Sequence, residues 1–183
     1  EGLLRMWDAE QRQLIQGIKE DGRRDTVLPL DTASWGSILL RQSGELEKAD
    51  RTVAAGLERY QIGESGLFRP YAGDPLYLDK EVTRAYFGDP DLTWNQLDIN
   101  WPEGSLGMAT ALIKAGREAK ARQVIAATEE YAVDAAGGVL QYASMEVPHQ
   151  FSTYPSVAST AWLVIAVENL LDPQDRALFW SHD

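Results

Sequence analysis

A chain of 183 residues with 44% hydrophobic and 25% charged content belongs to the ordinary globular class and is long enough to bury one sizeable core. Its formal charge of −11 scatters 17 basic residues among 28 acidic ones, which argues against nucleic acid, because phosphate contacts need clustered Lys and Arg. Cysteine is absent and His149 and His182 are the sole histidines, so thiolate chemistry drops out, a catalytic zinc is not expected, calcium on oxygen ligands stays open, and no cofactor is expected.

The chain opens on Glu1, not methionine, and an upstream segment is expected. No apolar stretch reaches the ~18 residues of a membrane span; the run Ala158 to Val167 is about half that, and no membrane-spanning helix is expected.

In chain order, Gly2-Leu-Leu-Arg5 reads as a short extended segment. Asp31, ahead of Thr-Ala-Ser-Trp35, reads as the N-cap of a mostly apolar helix over Ala33 to Ser43. Gly44 sits where a helix end wants a left-handed residue, and Glu45 suits the start of the next helix. That helix, Glu45 to Gln61, is amphipathic, with Val53, Leu57 and Tyr60 at helical spacing. Gly66-Leu-Phe-Arg69 repeats the extended motif inside a long connection, Gly63 to Asn100, that carries Phe68, Tyr71, Tyr77, Tyr86 and Trp94, and Trp101 follows it. Connections of this length are uncommon unless they form a functional surface.

A second pair follows: an apolar helix over Gly104 to Ala115, a turn at Gly116, and an amphipathic helix over Glu118 to Ala132 with Val124, Ile125 and Tyr131. Placing Trp35 to Ala49 above Gly107 to Ala121 brings Gly44 onto Gly116 and Ala49 onto Ala121 at one constant offset. Gly138-Val-Leu-Gln141 gives the third extended motif and leads through Tyr154-Pro-Ser156 into a last apolar helix, Val157 to Leu171, with Trp162 in its middle. The expected fold class is all-α: αα-hairpin repeats in which the first, third and fifth helices form an inner layer, sharing a core through Leu39, Leu112 and Ile165. Residues 1–183 read as a single all-helical domain.

The segments Leu30-Asp-Thr-Ala-Ser-Trp-Gly36, Asn100-Trp-Pro-Glu-Gly-Ser105 and Tyr154-Pro-Ser-Val-Ala-Ser-Thr-Ala-Trp162 resemble the C-terminal half of an (α/α)6-toroid carbohydrate-active protein of the six-hairpin glycosidase superfamily. The resemblance implies a toroid of about six inner helices, completed by the upstream segment of the same protein. It also implies an oligo- or polysaccharide substrate held where the inner helices begin, and favours a periplasmic or extracellular setting.

The offset that aligns the two pairs carries Asp31 onto Glu103, so each apolar helix begins with a carboxylate. Two carboxylates across one groove are what glycoside hydrolysis needs, about 5 Å apart for retention and ~6.5–9.5 Å for inversion. A helix N-terminus stabilises the anion, which predicts lowered pKa values and casts Glu103 and Asp31 as base or nucleophile. The acid is then expected in a drier place, at Asp98, with Glu64 and Glu146 weaker options. Each carboxylate has a plainer role too: Asp31 as cap, Glu103 as first-turn acid behind Pro102, Asp98 as turn residue.

Trp35, Trp94, Trp101 and Tyr154 are candidates for a sugar platform, since the apolar face of a pyranose lies flat on a ring; Trp162 is a core candidate. Arg69 and Arg5 are candidates for a uronate carboxylate, and His149 for a donor to substrate. The alternatives are a polysaccharide lyase working through Tyr154 and His149, or a non-catalytic solenoid binding peptide or protein partners; the latter fits less well with this spacing and so many loop tryptophans.

Overall fold

The computed structural model describes residues 2–131 and 139–171. The architecture is mostly helical: α1 (Leu30–Gln42), α2 (Leu46–Tyr60), α3 (Lys80–Phe87), α4 (Pro102–Lys114), α5 (Glu118–Glu129) and α6 (Val157–Leu171). A small antiparallel hairpin, β1 (Trp7–Asp8) and β2 (Gln13–Leu14), precedes them, with Trp7 opposite Leu14. No helix among the described residues is long and apolar enough to cross a membrane.

The two helix pairs turn in the same way. After α1, Gly44 at φ 80 donates its N–H to Arg41 and Glu45 donates to Leu40; after α4, Gly116 at φ 73 donates to Ile113 and Arg117 to Leu112. Both glycines occupy the left-handed region that a side chain resists, so the helix ends are fixed by residue type. The amphipathic partners then lie back on the apolar ones. α2 buries Ala49, Val53, Gly56 and Tyr60 against α1, and α5 buries Ala121, Val124, Ile125 and Thr128 against α4.

α4 is central: eleven of its thirteen residues are buried, and it packs on α1, α5 and α6. Small residues let α1 approach it closely. A side-chain carbon on Gly104 would sit 2.7 Å from Leu30 Cδ2, and one on Gly107 would sit 2.7 Å from Trp35 Nε1. Both contacts advance along both helices together, so α1 and α4 run side by side in the same direction, first turn against first turn. α6 packs on α4 as well, so α1 and α6 both lie against the same central helix.

The side chains assigned to the expected inner layer need one correction. Leu112 lies in the main core, but Leu39 packs in a separate small cluster with Leu14, Leu40 and Ala49 under the N-terminal hairpin, and Ile38 takes its place in the main core. Consecutive helical residues point about 100° apart, so a run of three apolar residues leaves the choice to whatever covers each side. Ile165 is partly buried on α6.

Helix boundaries also differ from expectation. α1 begins at Leu30, three residues early, with Pro29 in extended conformation as its N-cap; Asp31 is inside the first turn and caps nothing. Ala132, the expected end of α5, and Gly138 of the third extended motif lie outside the described residues, as does His182. The first such motif is a 3-10 turn, Leu3–Met6, instead of an extended segment. The 63–100 connection holds α3, capped by the Asp79 carboxylate at one end and closed by Gly88 at φ 84 at the other. Those two residues were a readable start and stop signal.

α1 and α6 differ in how their outer sides are treated. The N-terminal hairpin covers α1, with Leu14 Cδ1 3.2 Å from where a side chain on Gly36 would begin. On α6, Val157, Val164 and Leu171 are 88%, 57% and 68% exposed. The corresponding positions on α1 and α4, Leu30, Ser37, Pro102 and Ala109, are buried.

Candidate active site

The openings of α1 and α4 are built by the connections that enter them. Leu30 N–H donates to the Pro70 carbonyl, and the Thr32 hydroxyl donates to the Pro29 carbonyl, which sets the first turn of α1. At α4, Trp101 N–H donates to the Phe68 carbonyl, and the Ser105 hydroxyl donates to Asn100 Oδ1 while accepting from Phe68 N–H. Asn100 in turn exchanges bonds with Ser144 through its N–H and its carbonyl. These buried bonds hold residues 66–72 and 140–144 against the two helix starts.

Asp31 and Glu103 are the second residues of α1 and α4. Because Leu30 meets Gly104 across the helix interface, the two carboxylates sit at adjacent, parallel helix openings. Neither forms a salt bridge among the described residues, whose six ion pairs all join other groups. Burial pushes the Asp31 carboxyl up to about 7, helped by the negative charge of Glu103; burial also raises Glu103. The expected lowering by the helix dipole is thus overturned. A terminal dipole contributes about 0.3–1 kcal/mol at exposed sites, less than the penalty for desolvating a carboxylate that accepts no hydrogen bond. Asp31 Oδ1 has no partner at all.

Tyr71 and Tyr142 complete the site. Burial raises both phenols first, and then Asp31 acts on Tyr71, while Glu103, Tyr71 and Asp31 act on Tyr142. The four groups therefore share one electrostatic environment. Phe151 links the rings, at 5.3 Å from Tyr142 and 6.4 Å from Tyr71 between centroids. Sequence reasoning named Tyr71 only as a loop aromatic and passed over Tyr142. The signal for Tyr142 was its place directly after the third extended motif. Trp35 Nε1, which lies over Gly107, and Asn100 Nδ2 and Trp101 Nε1, at the entry to α4, are likewise buried without partners.

The remaining site candidates are dispersed. Trp94 has no exposed surface and is packed by Tyr71, Tyr77 and Phe151, and Trp101 is 7% exposed beneath Phe151, so neither offers a face to a sugar. Trp35 is partly exposed and stacks on Trp162, itself partly buried. Asp98 is exposed, contrary to the dry location expected for an acid, and its charge is felt by Arg69. Arg69 donates through Nη1 to Asn95 and lines a separate cleft with Arg59, Gln61 and Gly73. Arg5, Glu64 and Glu146 are exposed, and Glu146 accepts from the Tyr86 hydroxyl. Tyr154 is 71% exposed, and His149 is exposed at φ 62 in the turn between Val147 and Phe151. Among the described residues no three metal-ligating side chains converge.

Compared with models of known protein families, with curated proteins and with solved structures, the chain matches none.

Proposed function

We propose that this chain is part of an (α/α) toroid that hydrolyses glycosidic bonds in an oligo- or polysaccharide, with Asp31 as proton donor and Glu103 as base or nucleophile. The observation that carries the reading is the pairing of Asp31 and Glu103 at the openings of two adjacent parallel helices, half-buried, with no ion pair among the described residues, and bordered by Tyr71 and Tyr142. The roles follow from the environments. An acid must keep its proton as far as neutral pH, and Asp31, raised to about 7, keeps it up to there; Glu103, the less buried of the two, is the one to ionise. In the reaction the Asp31 proton passes to the leaving glycosidic oxygen, while Glu103 either takes a proton from the attacking water or attacks the anomeric carbon itself. The acid is thus Asp31, which local sequence casts as base or nucleophile, in place of the exposed Asp98, while Glu103 keeps its role.

The toroid reading is supported by the shared turn geometry of the two helix pairs and by the uncovered apolar side of α6, where a ring of inner helices would continue into an upstream segment of the same protein.

The test is release of reducing ends from a panel of α- and β-linked glycans by the wild type, Asp31→Asn and Glu103→Gln. Both variants should fold and lose activity by two or more orders of magnitude, because the lost groups act in the transition state. Full activity in either removes that residue from the mechanism. Products absorbing in the ultraviolet, the mark of an unsaturated uronide, would replace hydrolysis by elimination.

A further inference from the structure

The charge environment of the carboxylate pair restricts the sugar, an inference that rests on the glycosidase reading. Two acidic groups lie at neighbouring helix starts in a chain whose net charge is already −11. The groups that border them from other elements are phenols and rings: Tyr71 from the 63–100 connection, and Tyr142 and Phe151 from the 139–156 connection. Among the described residues no Lys or Arg is paired with either carboxylate. Of the two arginines that the sequence offered for a uronate, Arg5 is exposed, and Arg69 donates through Nη1 to Asn95, feels the charge of Asp98 and leaves its buried Nε unpartnered, with no ion pair to either carboxylate.

An anionic ligand needs a compensating cation or charged hydrogen bond once it leaves water. Among the described residues no cation is paired with the carboxylates, and the Glu103 anion repels a second negative charge where burial weakens solvent screening. A sugar hydroxyl meets no such obstacle. It can donate to the unpartnered Asp31 Oδ1 and accept from neutral donors such as the two phenols.

We infer that the sugar ring placed between Asp31 and Glu103 is uncharged, and that uronate and sulfated sugars are excluded from this position. The same inference argues against elimination chemistry, in which the uronate carboxylate itself must be neutralised.

Saturation-transfer NMR with the methyl glycosides of glucose, galactose and mannose, each against its uronic acid, tests this on the intact chain. At least one neutral member should bind tenfold or more tightly than its uronate. Glu103→Gln should narrow that ratio several-fold, and Arg69→Gln should leave it unchanged. Equal or tighter uronate binding overturns the inference, as does binding of neither kind. A neutral preference with no hydrolysis of any glycan leaves the inference standing and removes the glycosidase reading, so the two failures are distinguishable.

Discussion

The indole of Trp35 stacks on the indole of Trp162 at 5.4 Å between centroids and 10° between planes, beside Gly107. Trp35, Gly107 and Trp162 are each the sixth residue of their helix, α1, α4 and α6. The middle helix gives up its side chain so that the two tryptophans can meet across it.

Gly107→Ala should therefore be costly although alanine is the better helix former. The added carbon would lie 2.7 Å from Trp35 Nε1 and 3.4 Å from Ser34 Oγ, both on a packed helix. Overpacking of this kind costs about 1–3 kcal/mol, against a propensity gain of ~1 kcal/mol. The melting temperature should fall and the near-ultraviolet circular dichroism of the tryptophan pair should change. Gly17→Ala, where nothing lies within 4 Å, is the control and should change neither.

Asp31 predicts an unusual pH dependence of stability. Its carboxyl titrates near 7 in the folded chain against an ordinary value of 3.8, so between these limits the native state binds a proton that the unfolded state has released. Stability from this group is complete below about pH 4 and is lost as pH rises towards 7. Asp31→Asn removes the penalty of ionising a buried, unpartnered group. Thermal melts should show the variant more stable than wild type at pH 8 and little different at pH 4. A variant less stable at both would give Asp31 a structural task that Asn cannot perform.

Turnover should follow the same titration from the other side. On the proposed glycosidase reading the acid is lost as Asp31 ionises, so kcat/KM should decline above about pH 7. Glu103, raised from 4.5 by burial, sets the low-pH limb at a pH above that of an exposed glutamate. A pH–rate profile flat from 6 to 9 contradicts Asp31 as acid.

The eighth residues of α4 and α6 make a paired stability test. Ala109 is fully buried and Val164 is 57% exposed. Ala109→Leu should destabilise by about 1–3 kcal/mol through overpacking, whereas Val164→Lys should stay within about 0.5 kcal/mol in the chain as it stands and improve solubility. Denaturant unfolding of both reads the difference. A large loss in Val164→Lys would mean that this side of α6 is covered in solution.

By itself the sequence determined the helix pairs, because glycines at 44 and 116 can end a helix in only one way and the apolar and amphipathic periods on either side assign each helix its layer. It also brought out Asp31 and Glu103, since a constant offset places both at the second position of a buried helix. What it could not contain was the environment of each side chain. Local rules made Asp31 a cap with a lowered pKa and Trp94 and Trp101 a sugar platform. The fold withdrew the carboxylate from water without giving it a donor, and closed Tyr71, Tyr77 and Phe151 over the tryptophans. Desolvation is a sum over everything that surrounds a group, and most of what surrounds Asp31 arrives from segments forty to more than a hundred residues further along the chain. Periodicity is local and survives in the sequence; burial is collective, and only the tertiary structure decided it.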